Sequence, residues 1–202
     1  MLLNAKELGH PLLAPNKRVT NDFCIQQEQF FIVTGANMAG KSTFLRTISL
    51  SIMMANCGLP VCASHFSYSP IQLITSMRTS DSLSEETSYF YSELKRLKMI
   101  VDQIGSARYF VVLDEILKGT NSKDKATGSK KFIEKLNKTT ATGIIATHDV
   151  SLCTLAASYE AIENYYFDAE IIADELHFDY IMKRGVCKNM NASFLMKKME
   201  II

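Results

Sequence analysis

Three observations predict an α/β fold, a mostly parallel sheet flanked by helices. Short runs of apolar and β-branched residues, Phe30-Phe31-Ile32-Val33-Thr34 and Tyr109-Phe110-Val111-Val112-Leu113, are too continuous for half-exposed strands and read as strands buried on both faces. Between such runs lie segments with apolar residues at helical spacing, the alternation expected of strands joined by crossover helices. Three of the apolar runs end abruptly in glycine or polar residues, Gly35, Asp114-Glu115 and Thr147-His148. Ligands of open α/β sheets bind at that edge.

The elements follow in order. Strands are expected near 22–27 and 29–34, then a helix from about Thr43 to Asn56, where apolar residues recur at helical spacing. The stretch from Gly58-Leu59-Pro60 to about Pro70 reads as a peripheral, turn-rich excursion. A strand at 71–75 precedes a helix from about Ser88 to Gln103. Its stripe of Phe90, Leu94, Leu97, Val101 and Ile104, at spacings of four and three, is taken as core, with Gly105 closing the helix. Strands at 109–113, 143–147, 161–167 and 176–182 complete the set. The lysines Lys118, Lys123, Lys125, Lys130, Lys131, Lys135 and Lys138 suit a phosphate-backbone surface or a solvated helix face. The solvated face is favoured, because no aromatics interleave and Asp124 and Glu134 break the run.

Composition sets bounds. The chain has 202 residues, 47% of them hydrophobic and 21% charged, enough for one α/β domain with its own core. A net charge of +1 gives no global field toward nucleic acid. The five cysteines, Cys24, Cys57, Cys62, Cys153 and Cys187, show neither CxxC nor zinc spacing. They read as reduced, mostly buried thiols of a cytoplasmic protein. No run approaches the ~20 apolar residues of a membrane span, so no membrane contact is expected of this segment.

The chemistry concentrates at the strand ends. Gly35-Ala36-Asn37-Met38-Ala39-Gly40-Lys41-Ser42 has the spacing of a phosphate-binding loop, between a strand and a helix. In that setting backbone N–H groups and a helix N-terminus surround phosphate. Lys41 would reach the β- and γ-phosphates, and the Ser42 hydroxyl would sit on Mg²⁺. Asp114 is the candidate for holding Mg²⁺ through water, and Glu115 the candidate base that orients an attacking water. Both acids could instead cap the next loop, but the glycine loop favours the functional reading. His148, the third polar strand end, is the candidate γ-phosphate sensor.

These motifs resemble the ATPase domain of the MutS family. Thr34 to Thr43 is close to the family's Thr-Gly-Pro-Asn-Met-Gly-Gly-Lys-Ser-Thr, and Asn37-Met38 is a narrower signal than the general loop. Asp114-Glu115 with Gly119-Thr120-Asn121-Ser122 is similar to the family's Asp-Glu-Leu-Gly-Arg-Gly-Thr-Ser run, and Ala146-Thr147-His148 to its Ala-Thr-His strand end. Asp81-Ser82, then Ser88 ahead of Phe90 and Glu93, resembles the Asp-Ser…Ser-Thr-Phe-x-x-Glu signature, and Gly9-His10-Pro11 with Asn21 the segment leading into the domain. Four departures stand out: Ala36 and Ala39 for Pro and Gly in the loop, Leu117-Lys118 for Gly-Arg, and Glu85-Glu86 where the family has a Gly two residues before the signature serine.

The resemblance implies one ATPase domain over 1–202, a lead-in segment at 1–21 and a P-loop core of the ABC type at 22–202. It implies ATP and Mg²⁺ as cofactors, with nucleotide held by Gly35, Ala36, Asn37, Met38, Ala39, Gly40, Lys41, Ser42 and Thr43. Lys41, Glu115 and His148 would be catalytic, Ser42 and Asp114 metal-bound, and Val19, Asn21 and Tyr180 adenine contacts. Two such domains would face each other, Ser88 of each reaching the other's nucleotide, in an ATP-dependent homodimer that is weak in isolation. DNA contact would come only through a longer parent protein, of which this chain is expected to be a fragment. A transporter ATPase subunit would want a Leu-Ser-Gly-Gly-Gln-like signature, and a small-molecule kinase a lid with paired arginines; neither is present. A nucleotide sensor without appreciable turnover is the remaining rival.

Overall fold

A computed structural model describes residues 2–77, 89–105 and 107–188, with positions 196 and 198. Its centre is a six-stranded sheet of β3 (Phe30–Gly35), β5 (Gln72–Ser76), β6 (Tyr109–Asp114), β7 (Thr142–Ala146), β8 (Ile162–Phe167) and β11 (Met182–Arg184), ordered β11-β8-β3-β7-β6-β5. All pairings are parallel except β11 on β8. The chain is therefore α/β with a mixed sheet flanked by helices.

The apolar runs are unbroken because successive residues enter two different cores. On one face Phe31 and Val33, Phe110 and Val112, and Ile144 and Ala146 pack with Phe44, Leu45, Ile48 and Ile52 of α1 (Lys41–Asn56). On the other, Phe30, Ile32, Val111, Leu113 and Ile145 meet α2 (Tyr89–Gln103), α3 (Ser122–Asn137) and a 3-10 helix at Val150–Ala157. With both faces covered, no position of these strands needs to be polar.

A second, antiparallel sheet covers the α1 side, in the order β2-β1-β4 from β1 (Leu3–Leu8), β2 (Asn21–Ile25) and β4 (His65–Tyr68). Two of these strands correct the expectation of a lead-in segment alone at 1–21 and a turn-rich excursion at 58–70. In β1 the alternation that marks a strand is interrupted. The register slips between Ala5 and Leu8, and Glu7 has φ 51°, so a bulge returns Leu8 to the buried face out of phase. β4 has only four residues, too few for a period to declare itself.

The strand expected at 176–182 is also divided. β9 (Glu170–Ile172) and β10 (Glu175–His177) form a hairpin through Ala173 and Asp174, both left-handed at φ 49° and 62°. Two adjacent positive φ values make the type of tight turn usually signalled by Asn-Gly, and Ala-Asp carries no such signal. Tyr180, with φ 56°, then breaks the chain before β11.

Two further expectations change. On α2 and just past its end the buried apolar positions are Leu97, Ile100 and Ile104, whereas Leu94 is 38% exposed. The inward face includes Glu93 rather than Leu94, a choice no hydrophobicity pattern would make. Of the cysteines only Cys153 and Cys187 are buried, while Cys24 lies on the outer side of β2 and Cys57 caps α1, both exposed. The α3 lysines do form a solvated face, with Ser129, Ile133 and Leu136 turned inward. Among the described residues no helix is long and apolar enough to cross a membrane.

Candidate functional site

The glycine loop joins the C-terminal end of β3 to α1. Gly35 has φ 144°, and a Cβ there would lie 2.4 Å from the Phe167 carbonyl oxygen of β8. Gly40, at φ 106°, is the N-cap of α1, and no side-chain hydrogen bond caps that end. The N-terminus of α1 thus meets the loop without a capping side chain, the setting in which helix N-termini receive anions. Neither Ala36 nor Ala39 needs positive φ, which is why both departures from the family loop are accommodated; Met38, at φ 66°, does. Gly35→Ala should cost a few kcal/mol, of the order of overpacking a core, because backbone and not a flexible side chain blocks the new methyl. A urea midpoint equal to that of the unmodified chain would contradict this packing.

Lys41 is only 6% exposed. Its ammonium donates to the carbonyls of Gly35 at 2.8 Å and Ala36 at 2.6 Å, holding the loop closed on itself.

The acid pair arrives from β6, two strands away. Asp114 pairs with Ala146, which also pairs with Val33, so the three strand ends stand level. Asp114 is 6% exposed, and its Oδ2 is buried without a hydrogen-bond partner among the described residues. A buried carboxylate oxygen left unpaired is costly unless something electropositive completes it. That orphan fits a hydrated divalent cation.

The Glu115 amide donates to the Ala146 carbonyl at 2.9 Å, and its backbone is left-handed at φ 51°. Its Oε1 lies 2.7 Å from His148 Nε2, and its Oε2 lies 2.7 Å from Lys118 Nζ. The hydrogen bond to His148 first, then that to Lys118, hold the Glu115 carboxyl well below the usual carboxylate range despite its burial. The folded pKa is depressed, so the stability from this ionisation is fully present above the ordinary value of 4.5, shrinks below it, and is lost as pH falls through the folded pKa. The stability advantage of the unmodified chain over Glu115→Gln should therefore be full near neutrality and shrink in acid. Urea unfolding at a series of pH values measures it, and a gap that widens in acid would contradict the pairing.

A cavity of about 710 Å³ runs from these strand ends toward the N-terminal segment, within the size range of small-molecule sites. Asn37, Met38, Gly40, Lys41, Ser42, Thr43, Asp114, Glu115, His148, Val19, Asn21 and Tyr180 all line it. Asn21 does so as a brace, donating to the Tyr180 carbonyl at 3.0 Å and accepting from the Met182 amide at 2.6 Å. Tyr180 stacks on Phe178 with ring centroids 5.9 Å apart, and its ring edge would be 3.2 Å from a Cβ on Gly40. Val19 and Tyr180 remain 38% and 43% exposed, an open apolar end opposite the polar strand ends. Ser88, with Asp81, Ser82, Glu85 and Glu86, lies outside the described residues.

Three residues at the site have no role assigned to them by sequence, although His10 and Glu93 stand in segments that resemble the family's. His10 lines the cavity, its pKa lowered by burial and then by Arg46 and Arg18. Lys118, grouped by sequence with the solvated lysines, turns inward to Glu115. Glu93 reaches the loop after the acid pair. The replacement of Gly-Arg by Leu117-Lys118 is the one signal that could have pointed to Lys118.

Comparison with known proteins agrees with the geometry. The family profile described as MutS domain V matches residues 31–199. The DNA mismatch repair protein MutS of Methanococcoides burtonii is 33% identical over 183 residues, covering 86% of this chain and 20% of that protein. MutS protein homolog 4 of Mus musculus is 29% identical over 200 residues, covering 94% of this chain and 21% of its own. The DNA mismatch repair protein MutS of Aquifex pyrophilus is 29% identical over 191 residues, 91% of this chain and 22% of its own. The chain spans about a fifth of the length of each of these relatives. With the loop, the acid pair and the histidine strand end all in one cleft, and the domain V profile running through them, the chain belongs to the MutS family.

Proposed function

We propose that this chain is the ATP-binding and ATP-hydrolysing module of a MutS-like DNA mismatch repair protein, a P-loop domain of the ABC ATPase type that acts as a nucleotide-gated dimer switch. The observation that carries the reading is the convergence of Lys41, Ser42, Asp114, Glu115 and His148 on one cavity, with the Asp114 Oδ2 left for a cation. The amides of Ala39 through Thr43 and the N-terminus of α1 receive the phosphates, and Lys41 exchanges its two loop carbonyls for β- and γ-phosphate oxygens. Ser42 and, through water, Asp114 would hold Mg²⁺, which neutralises phosphate charge when bound. Glu115 orients water and takes its proton as oxygen attacks the γ-phosphorus and the bond to the ADP oxygen breaks. His148 senses the γ-phosphate. Val19 and Tyr180 flank the base, while Asn21 fixes the segment that carries Tyr180.

One observation favours a second reading, a nucleotide sensor with little turnover. Both Glu115 oxygens are already engaged, by His148 and Lys118, so the base is ionised yet occupied. Steady-state hydrolysis measured beside ATP affinity decides between them. Tight MgATP binding with turnover no faster than uncatalysed hydrolysis would leave the sensor, and no binding would sink both.

In the dimer, Ser88 acts on the partner's nucleotide. Self-association through a small interface, below ~1,200 Å², is transient and suits an ATP-gated contact. Glu115→Gln with ATP is expected to sediment toward dimer, and Ser88→Ala in that background to remain monomeric with ATP affinity unchanged. A Ser88→Ala protein that still dimerises with ATP would refute the trans role.

A further inference from the structure

The loop that carries Glu115 is held from outside by one carboxylate. Glu93, on the inward face of α2, accepts the Leu117 amide on Oε1 at 2.6 Å and the Lys118 amide on Oε2 at 3.1 Å. Burial pushes the Glu93 pKa up, and the two amides oppose that push. An acid in this position has given up much of its hydration to bind two backbone N–H groups. The segment it binds needs holding, since Glu115 and Leu117 both have left-handed backbone, at φ 51° and 60°. Side chains with a Cβ adopt that conformation only when their surroundings impose it.

A second contact joins the same two elements. A Cβ on Gly119 would lie 2.7 Å from the Phe90 Cβ of α2. The first turns of α2 and the chain after Asp114 are therefore in direct apposition at both Phe90 and Glu93. Lys118 extends the connection, because its backbone is fixed by Glu93 while its ammonium stands 2.7 Å from Glu115.

We infer that Glu93 is the positioning residue of this site, clamping the loop 115–118 to α2 and so setting, through Lys118, where the Glu115 carboxylate stands. The inference rests on the reading of Glu115 as the base. It adds a mechanical link: a displacement of α2 moves the loop amides first, then the Lys118–Glu115 pair. Glu93 touches no reacting atom, and its effect passes through the loop.

The test uses the full chain with Glu93→Gln, in which one acceptor oxygen becomes an NH₂ facing a backbone N–H. Amide exchange at Leu117 and Lys118 is expected to speed up at least about tenfold, and the ¹³C resonance of the Glu115 carboxyl to move as Lys118 withdraws. Single-turnover hydrolysis should fall at least about tenfold with MgATP affinity within about twofold of the unmodified value, a kcat effect without a KM effect. Gly119→Ala, which wedges the same apposition without changing charge, should act in the same direction and serves if Glu93→Gln does not fold. Unchanged exchange and an unchanged Glu115 resonance would overturn the clamp whatever the turnover. Altered exchange with turnover intact would overturn the link to Glu115. Failure of the base reading is seen separately, as hydrolysis that Glu115→Gln leaves untouched.

Discussion

Glu115→Gln is expected to lower ATP turnover by ~10²–10⁴ while nucleotide stays bound. The substitution keeps the shape of the side chain and removes its ability to take a proton from water. In the folded chain this carboxyl is ionised well into the acid range, held so by His148 and Lys118 at 2.7 Å each. Single-turnover hydrolysis, with retained ATP measured on the same samples, checks the expectation. A variant that hydrolyses ATP at the original rate would dismiss Glu115 as the base.

Lys41→Ala is expected to weaken MgATP binding at least about tenfold, each decade being ~1.4 kcal/mol. In the proposed role the lysine meets the β- and γ-phosphates, and its side chain is buried in the loop. It also serves the loop, bonding the carbonyls of Gly35 and Ala36. The variant should also exchange the loop amides faster without ligand. Calorimetry with MgATP reads the affinity, and an unchanged Kd would show that this loop is not a phosphate site.

The parts of the site that were legible in the sequence share one property. Lys41 and Ser42 open the helix after β3, Asp114 ends β6, and Glu115 and His148 follow closely on β6 and β7, so their position along the chain places them at one edge of a parallel sheet. The strand signal itself is strong because β3, β6 and β7 are covered on both faces by the two cores. A short apolar run bounded by polar residues fits few places in a water-soluble fold besides a strand buried in this way.

What the tertiary structure alone decided are the relations that cross between elements. The phase of α2 is one case. Phe90, Leu94, Leu97, Val101 and Ile104 and the observed face through Glu93, Leu97, Ile100 and Ile104 are both helical in period, share Leu97 and Ile104, and differ by only about 50° in rotation, half of one residue's ~100° step. Nothing local separates them, because the reason to turn Glu93 inward is a pair of amides more than twenty residues later in the chain. Lys118 is another: its composition belongs with the solvated lysines of α3, and only the left-handed turn at Glu115 and Leu117 brings it back onto the acid. The sheet β2-β1-β4 is the third, since a bulge hides the period of β1 and four residues are too few to show that of β4. By itself, then, the sequence determined the α/β alternation, the strand-end chemistry and the family resemblance, all of which are written in contiguous residues. Rotation of a helix, inversion of a lysine and pairing of short strands are set by partners distant in the chain, and those the fold alone could supply.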